Sequence, residues 1–168
     1  YRGVLKIIKG KALTLVNILN LEDYIKGIAV REISHYWPEA ALKSNVIVFR
    51  TFALYHMQQY KNKDYDVKSD VYSQVYGGQA AERYRITDVV EQTRGEVLTY
   101  KDKIFPAFFH SNCGGRTQNA SLIWDIDLPP LSGVVCGYCR EGKNSRWNVV
   151  LTEDDIVNKM RKKNFKLN

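Results

Sequence analysis

The 168 residues predict a single α+β domain spanning 1–168, built on a long central helix and flanked by β-hairpins. Three observations carry that expectation. Two short β-branched runs, residues 4–8 and 12–19, are separated only by Lys9-Gly10-Lys11. A helical apolar period runs for two dozen residues beyond Pro38. Strand-like and helix-like segments then alternate with no internal repeat, low-complexity tract or linker. A hydrophobic content of 45% excludes disorder and suffices for a core. No apolar run approaches the roughly 18 residues that would read as a membrane span. The chain starts at Tyr1 with neither Met nor a signal-type apolar stretch, which predicts a processed chain or a piece of a longer one.

The two opening runs read as a hairpin. Asn20 follows as a helix N-cap, with Glu22 and Asp23 in the first turn where acids suit the helix dipole. Pro38 marks the next helix start, since proline is tolerated at the first helical position. That helix is expected to reach about Tyr60, with Leu42, Val46, Phe49 and Ala53 as its stripe. Ile47, Val48, Phe52 and Leu54 widen the stripe, so the helix should be covered on most sides. Residues 61–70 are polar and loop-like; Asp70 to Gly78 is a short aromatic strand or ordered loop; 80–93 is a helix. Residues 96–100 and 103–110 read as a second hairpin around Lys101-Asp102. Residues 111–121 form a glycine-rich loop, Leu128-Pro129-Pro130-Leu131 punctuates the chain, and 153–163 closes it with a helix.

The net charge is +7, but Lys159, Arg161, Lys162, Lys163 and Lys166 crowd the last ten residues without an acid, and the remainder carries only +2. Such a tail could touch nucleic acid, an anionic membrane or an anionic wall polymer, or simply complement the C-terminal end of a helix. Nucleic-acid binding is disfavoured, because the cations are not threaded among the aromatic segments as a stacking groove requires.

Three cysteines cannot all pair with one another. His110-x-x-Cys113 is followed, after 22 intervening residues, by Cys136-x-x-Cys139. Two such pairs supply the four ligands of a closed tetrahedral Zn²⁺ site, with Gly114, Gly115 and Gly137 giving the turns their freedom; a closed site would be structural. The rival is a Cys136–Cys139 or Cys113–Cys136 disulfide with a third, free thiol.

One carboxylate stands out on the first helix. Leu21, Tyr24, Ile25 and Ile28 form its apolar stripe at about 100° per residue, and continuing the stripe reaches Glu32, whereas Glu22 and Asp23 fall off it. A carboxyl group in apolar surroundings holds its proton more tightly, which is what a general acid requires. The alternative is a helix ending near Val30 with Glu32 in a solvated turn. His35 and His56 have no evident triad partners, and Arg50, at the edge of an apolar stripe, calls for an acid.

Several strings taken together resemble a known family. LEDYIKGIAVREIS followed by WPEAALKSNVIVFRTFALYHM, then DVYSQVYGG, FFHSNCGGRTQNASLIW and VVCGYC, is similar to the stage II sporulation protein D (SpoIID/LytB) family, in the right order and over about residues 4 to 155. The resemblance implies a sporulation-type domain acting on peptidoglycan in the cell envelope, outside the cytoplasm, secreted or anchored through a segment absent from this chain. It implies a lytic transglycosylase that cleaves glycan strands lacking stem peptides and leaves 1,6-anhydro-N-acetylmuramic ends, in a groove lined by glycine-rich loops. It aligns the family's catalytic glutamate with Glu32, and it is consistent with zinc on His110, Cys113, Cys136 and Cys139. Departures are Phe52 for the usual tyrosine, Gln118 for a glutamate, and Val46 to Val48 for a run of small residues.

A single acid suffices for that chemistry, because the sugar's own carbon-6 hydroxyl takes the place of water and of the second carboxylate that hydrolases use. Ser111, Thr117, Gln118 and Tyr76 are the candidate polar partners of the transition state; Tyr72 and Trp124 are candidates for stacking on sugar faces. Each could instead serve packing or turns. The implied partners are glycan strands and other wall hydrolases. The alternative reading is a non-catalytic wall-binding or amidase-enhancing module.

Overall fold

The computed structural model describes residues 1–60, 63–139 and 147–163. In chain order the elements are β1 (Val4–Lys9), β2 (Leu13–Ile18), α1 (Leu21–Glu32), α2 (Glu39–Gln59), a 3-10 turn at Gln79–Ala81, α3 (Tyr84–Gln92), β3 (Thr99–Tyr100), β4 (Lys103–Ile104), α4 (Ser121–Trp124), a second 3-10 turn at Pro129–Leu131, and α5 (Glu153–Lys162). This is the α+β arrangement that the sequence predicts. The chain gathers into two compact units, Tyr1–Phe109 and His110–Asn168.

In the first unit β1 and β2 pair antiparallel, Val4 opposite Ile18 and Lys9 opposite Leu13, across the expected turn. Asn20 caps α1, its side chain accepting the Glu22 N–H at 2.9 Å. The helix runs through to Glu32, so the early stop near Val30 does not occur; Ile33 then turns extended while its N–H still reaches Ala29 O. Pro38 serves as the N-cap of α2 rather than as its first helical residue. Ile25, Ile28 and Ala29 of α1 meet Leu42, Val46, Phe49 and Ala53 of α2 and Ile86, Val89 and Val90 of α3 in one core. Each large side chain there contributes about 1.5–3 kcal/mol by leaving water.

Two expectations need correction. Residues 80–93 do not form one helix: Gly78, at φ +68°, opens a 3-10 turn, and Glu82 and Arg83 are extended before α3 begins. The second hairpin shrinks to two residues a side. Lys101 and Asp102 do take positive φ, 50° and 60°, as a primed turn requires. But the Leu98 N–H is captured by Thr51 Oγ1 at 2.9 Å, and Pro106 has no N–H to offer a ladder. Of the two alternatives for Asp70 to Gly78, strand or ordered loop, the segment takes the ordered loop.

In the second unit the 111–120 loop is held to residues 134–136. Thr117 donates its N–H to Val134 O at 2.9 Å and Cys136 donates to Gly115 O at 2.8 Å, around an Arg116–Val135 bridge. The closing helix α5 carries a full capping box between Thr152 and Asp155, with Lys159, Arg161 and Lys162 in its last turn. Lys166 lies outside the described residues. Among the described residues no helix is long and apolar enough to cross a membrane.

Candidate functional site

Glu32 is the last residue of α1, half-buried rather than sunk in the core as the helical wheel suggests. Its Oε1 accepts the Val75 N–H at 3.1 Å, and no other protein donor reaches the carboxylate among the described residues. The segment supplying that N–H lies along α1 as a strap. The Tyr24 hydroxyl donates to Gln74 Oε1 at 3.1 Å, Gln74 Nε2 donates to Phe49 O at 3.3 Å, and the Gly77 N–H donates to Gly27 O at 3.0 Å. The Tyr76 ring stacks on Tyr24, centroids 5.7 Å apart, and lies over Gly27. Burial pushes the Tyr24 hydroxyl well above the usual tyrosine range, and the nearby Glu32 carboxylate pushes the same way. Glu32 therefore has one oxygen held by the backbone and one without a protein donor among the described residues.

The buried carboxylate of α1 is Glu22, which the wheel placed off the apolar stripe. It is 6% exposed and grips Arg50, itself at 0%, in a two-pronged ion pair: Nε to Oε1 at 3.0 Å and Nη2 to Oε2 at 2.8 Å. Arg50 Nη1 also donates to Glu96 O at 2.9 Å, and the Gly95 N–H reaches Glu22 Oε1 at 3.3 Å. The signal in the sequence is Arg50 itself, whose position on an apolar stripe demands a buried acid. This pair is fully engaged and ties α1, α2 and the turn after α3 together, leaving Glu32 to face outward.

Cys113, Cys136 and Cys139 are drawn together, their sulfurs all within 4.8 Å of one another, and none is in a disulfide. Cys113 and Cys139 approach to 3.4 Å, a pair that neither disulfide alternative names. Two thiolates on a tetrahedral zinc stand about 3.8 Å apart, given Zn–S bonds of about 2.3 Å, so the three sulfurs fit three corners of such a site. His110, expected as the fourth ligand, is exposed and does not join the group. Gly114 and Gly115, at φ +63° and +106°, provide the left-handed turn that brings Cys113 back toward residues 136–139.

The remaining candidates divide between the units. Tyr72 is almost fully exposed at 91%, whereas Tyr76 is spent on packing α1, its hydroxyl buried. Ser111 and Gln118 are exposed on the loop of the second unit. Thr117 uses its hydroxyl to accept the Val134 N–H at 2.8 Å, and Trp124 ends α4 half-exposed. Tyr24 and Gln74, which tie the strap to α1 and α2, and the Val75 N–H, which holds the Glu32 carboxylate, carry no local sequence signal for those roles.

Residues 9–100 match the family model described as stage II sporulation protein (SpoIID). The chain belongs to that family. Among its relatives, an uncharacterized protein of Brachyspira hyodysenteriae is 34% identical over 159 residues, covering 94% of this chain and 43% of that protein. Stage II sporulation protein D of Bacillus subtilis is 24% identical over 160 residues, 86% of this chain and 47% of that one. The amidase enhancer of the same organism is 31% identical over 107 residues, 64% of this chain and 14% of that one. The SpoIID chain described here thus spans less than half the length of each of these relatives.

Proposed function

We propose that this SpoIID domain is a peptidoglycan lytic transglycosylase, acting outside the cytoplasm on glycan strands that lack stem peptides, with Glu32 as its single acid and base. The observation that carries the reading is the Glu32 carboxylate, half-buried at the end of α1, with Oε1 held by the Val75 N–H and Oε2 without a protein donor among the described residues. Protonated at Oε2, Glu32 gives its proton to the glycosidic oxygen as the bond to the anomeric carbon of the muramic residue breaks. The carboxylate then takes the proton of the carbon-6 hydroxyl as that oxygen bonds to the anomeric carbon. Bonds and protons balance with no water consumed, and the acid is restored. The oxocarbenium-like transition state needs dipoles more than a nucleophile. Within the unit that carries Glu32, the exposed Tyr72 is assigned as a stacking surface for a sugar face, while Tyr76, packed on α1 with its hydroxyl buried, is not assigned a substrate contact.

Cys113, Cys136 and Cys139 are assigned to a structural Zn²⁺, which when bound would fix the loop carrying Ser111, Thr117 and Gln118; His110, outside the sulfur cluster here, would have to turn inward to serve as the fourth ligand. Other wall hydrolases are assigned as partners. The test is digestion of purified glycan strands by wild type and Glu32→Gln, with mass spectrometry of the ends. Wild type should release anhydro-muramic ends, and the variant should be slower by about 10³-fold, within the usual range for a general acid. The amidase-enhancer relative supports a second reading, a wall-binding module without activity. Strand binding by both proteins with no product from either would select it.

A further inference from the structure

Beside Glu32 the first unit carries a small open pocket of about 170 Å³, lined by Val30, Arg31, Gly77, Ala80, Ala81 and Arg83. Its walls are alanine, glycine and valine, and its only charges are two guanidinium groups. Neither Arg31 nor Arg83 has a carboxylate partner among the described residues: Arg83 Nη1 spends itself on the Ala80 and Glu82 carbonyls, at 3.2 and 2.8 Å. Of the nearby acids, Glu82 is already neutralised by Arg2 through a two-pronged pair at 2.6 and 2.9 Å, and Glu32 is held by the Val75 N–H and pairs with neither arginine among the described residues. Gly77 is required here, because a Cβ would strike Ala81 Cβ and come within 2.8 Å of Arg31 Nε. The backbone has thus been kept bare so that the Arg31 side chain can lie across it. Arg31 is also the chain neighbour of Glu32, and Gly77 stands two residues after the Val75 that holds the Glu32 carboxylate. Pocket and carboxylate therefore share one end of α1.

Two unpaired guanidinium groups in a pocket too small for a disaccharide call for a compact anion, and planar carboxylates suit the guanidinium fork best. We propose that this pocket takes the free lactyl carboxylate of a muramic residue whose stem peptide has been removed, and that Arg31 and Arg83 thereby set the preference for bare strands. The inference rests on the glycan reading of Glu32 and deepens it. An attached peptide turns that carboxylate into a neutral, bulkier amide, which removes the charge the guanidinium groups would meet.

The experiment measures equilibrium binding of peptide-free glycan strands and of the same strands after carbodiimide coupling of methylamine to their lactyl carboxylates. Binding is read in a Glu32→Gln background so that strands are not consumed, with and without Arg31→Gln and Arg83→Gln together. Free-carboxylate strands should bind roughly tenfold tighter or more, the usual scale for hydrogen bonds to a charged group, and the double arginine variant should bind both forms alike. Equal binding of both forms with the arginines present, or a preference that survives their removal, would overturn the proposal. Anhydro-muramic ends, followed in parallel with Glu32 intact, report on the catalytic reading alone. A binding preference without product would sink the enzyme and keep the pocket; product without preference would do the reverse.

Discussion

Arg50 is a cation with no exposed surface, surrounded by Phe49, Thr51 and the core of three helices. Its burial is tolerable because Glu22 takes two of its nitrogens and the Glu96 carbonyl takes a third. Such a pair contributes little net stability against a well-packed apolar replacement, but half of it is costly, because one charge is left buried alone. Arg50→Met should therefore destabilise the domain by about 3–5 kcal/mol in urea unfolding, and Glu22→Gln by a comparable amount. The double variant should recover much of the loss, giving a coupling well above the error of additivity, about 0.5 kcal/mol. Additive losses would mean that the two residues act separately. The need for an acid opposite Arg50 is legible in the sequence, but its identity is not. A wheel with one narrow apolar stripe excludes Glu22, whereas in the fold Glu22 and everything from Tyr24 to Ala29 is buried, so α1 has hardly any solvent face before its last turn.

The relation between α1 and its strap explains a glycine that helix propensity would remove. Glycine inside a helix costs roughly 0.5–1 kcal/mol relative to alanine, so Gly27→Ala taken alone should stabilise. Here a Cβ would fall into the Tyr76 ring, 2.9 Å from Cδ2 and nearer still to Cε2, and a ring stacked on Tyr24 has little room to retreat. Gly27→Ala should lower the melting temperature by several degrees, and Tyr76→Leu in the same chain should restore part of it. Because the strap also delivers the Val75 N–H to Glu32, Gly27→Ala should slow any strand cleavage more than it weakens strand binding. A rise in melting temperature on Gly27→Ala would show that the contact is not rigid. The helices, their caps and the first hairpin follow from local patterns and are legible residue by residue. The strap is not, since its partners lie some fifty residues away and its own signal is only an aromatic-rich run ending in Gly-Gly.

At the scale of the whole chain the two units differ in what can hold them. The first has a continuous core from three helices, while in the second Ala120 is the one buried hydrophobic residue among the described residues. Leu122, Ile123, Val134, Val135 and Trp147 are all largely exposed, and α5 buries nothing. A segment of this size without an apolar core needs another staple, and three converging thiols supply the donors for one. Metal binding would then be folding energy for this unit and not for the other. Purified protein should carry one zinc per chain by elemental analysis. Chelation, or Cys136→Ser, should raise hydrogen exchange across residues 110–139 while leaving α1, α2 and α3 protected as before. His110→Ala should weaken the metal rather than abolish it, since three sulfurs remain. The competing staple is a Cys113–Cys139 disulfide, whose sulfurs, now 3.4 Å apart, would have to close to about 2.05 Å. It would show as a mass two daltons lower, with exchange insensitive to chelator and sensitive to reductant. Either staple makes the same structural demand, that the loop bearing Ser111, Thr117 and Gln118 be closed through its cysteines. The chelator and the reductant decide which chemistry closes it.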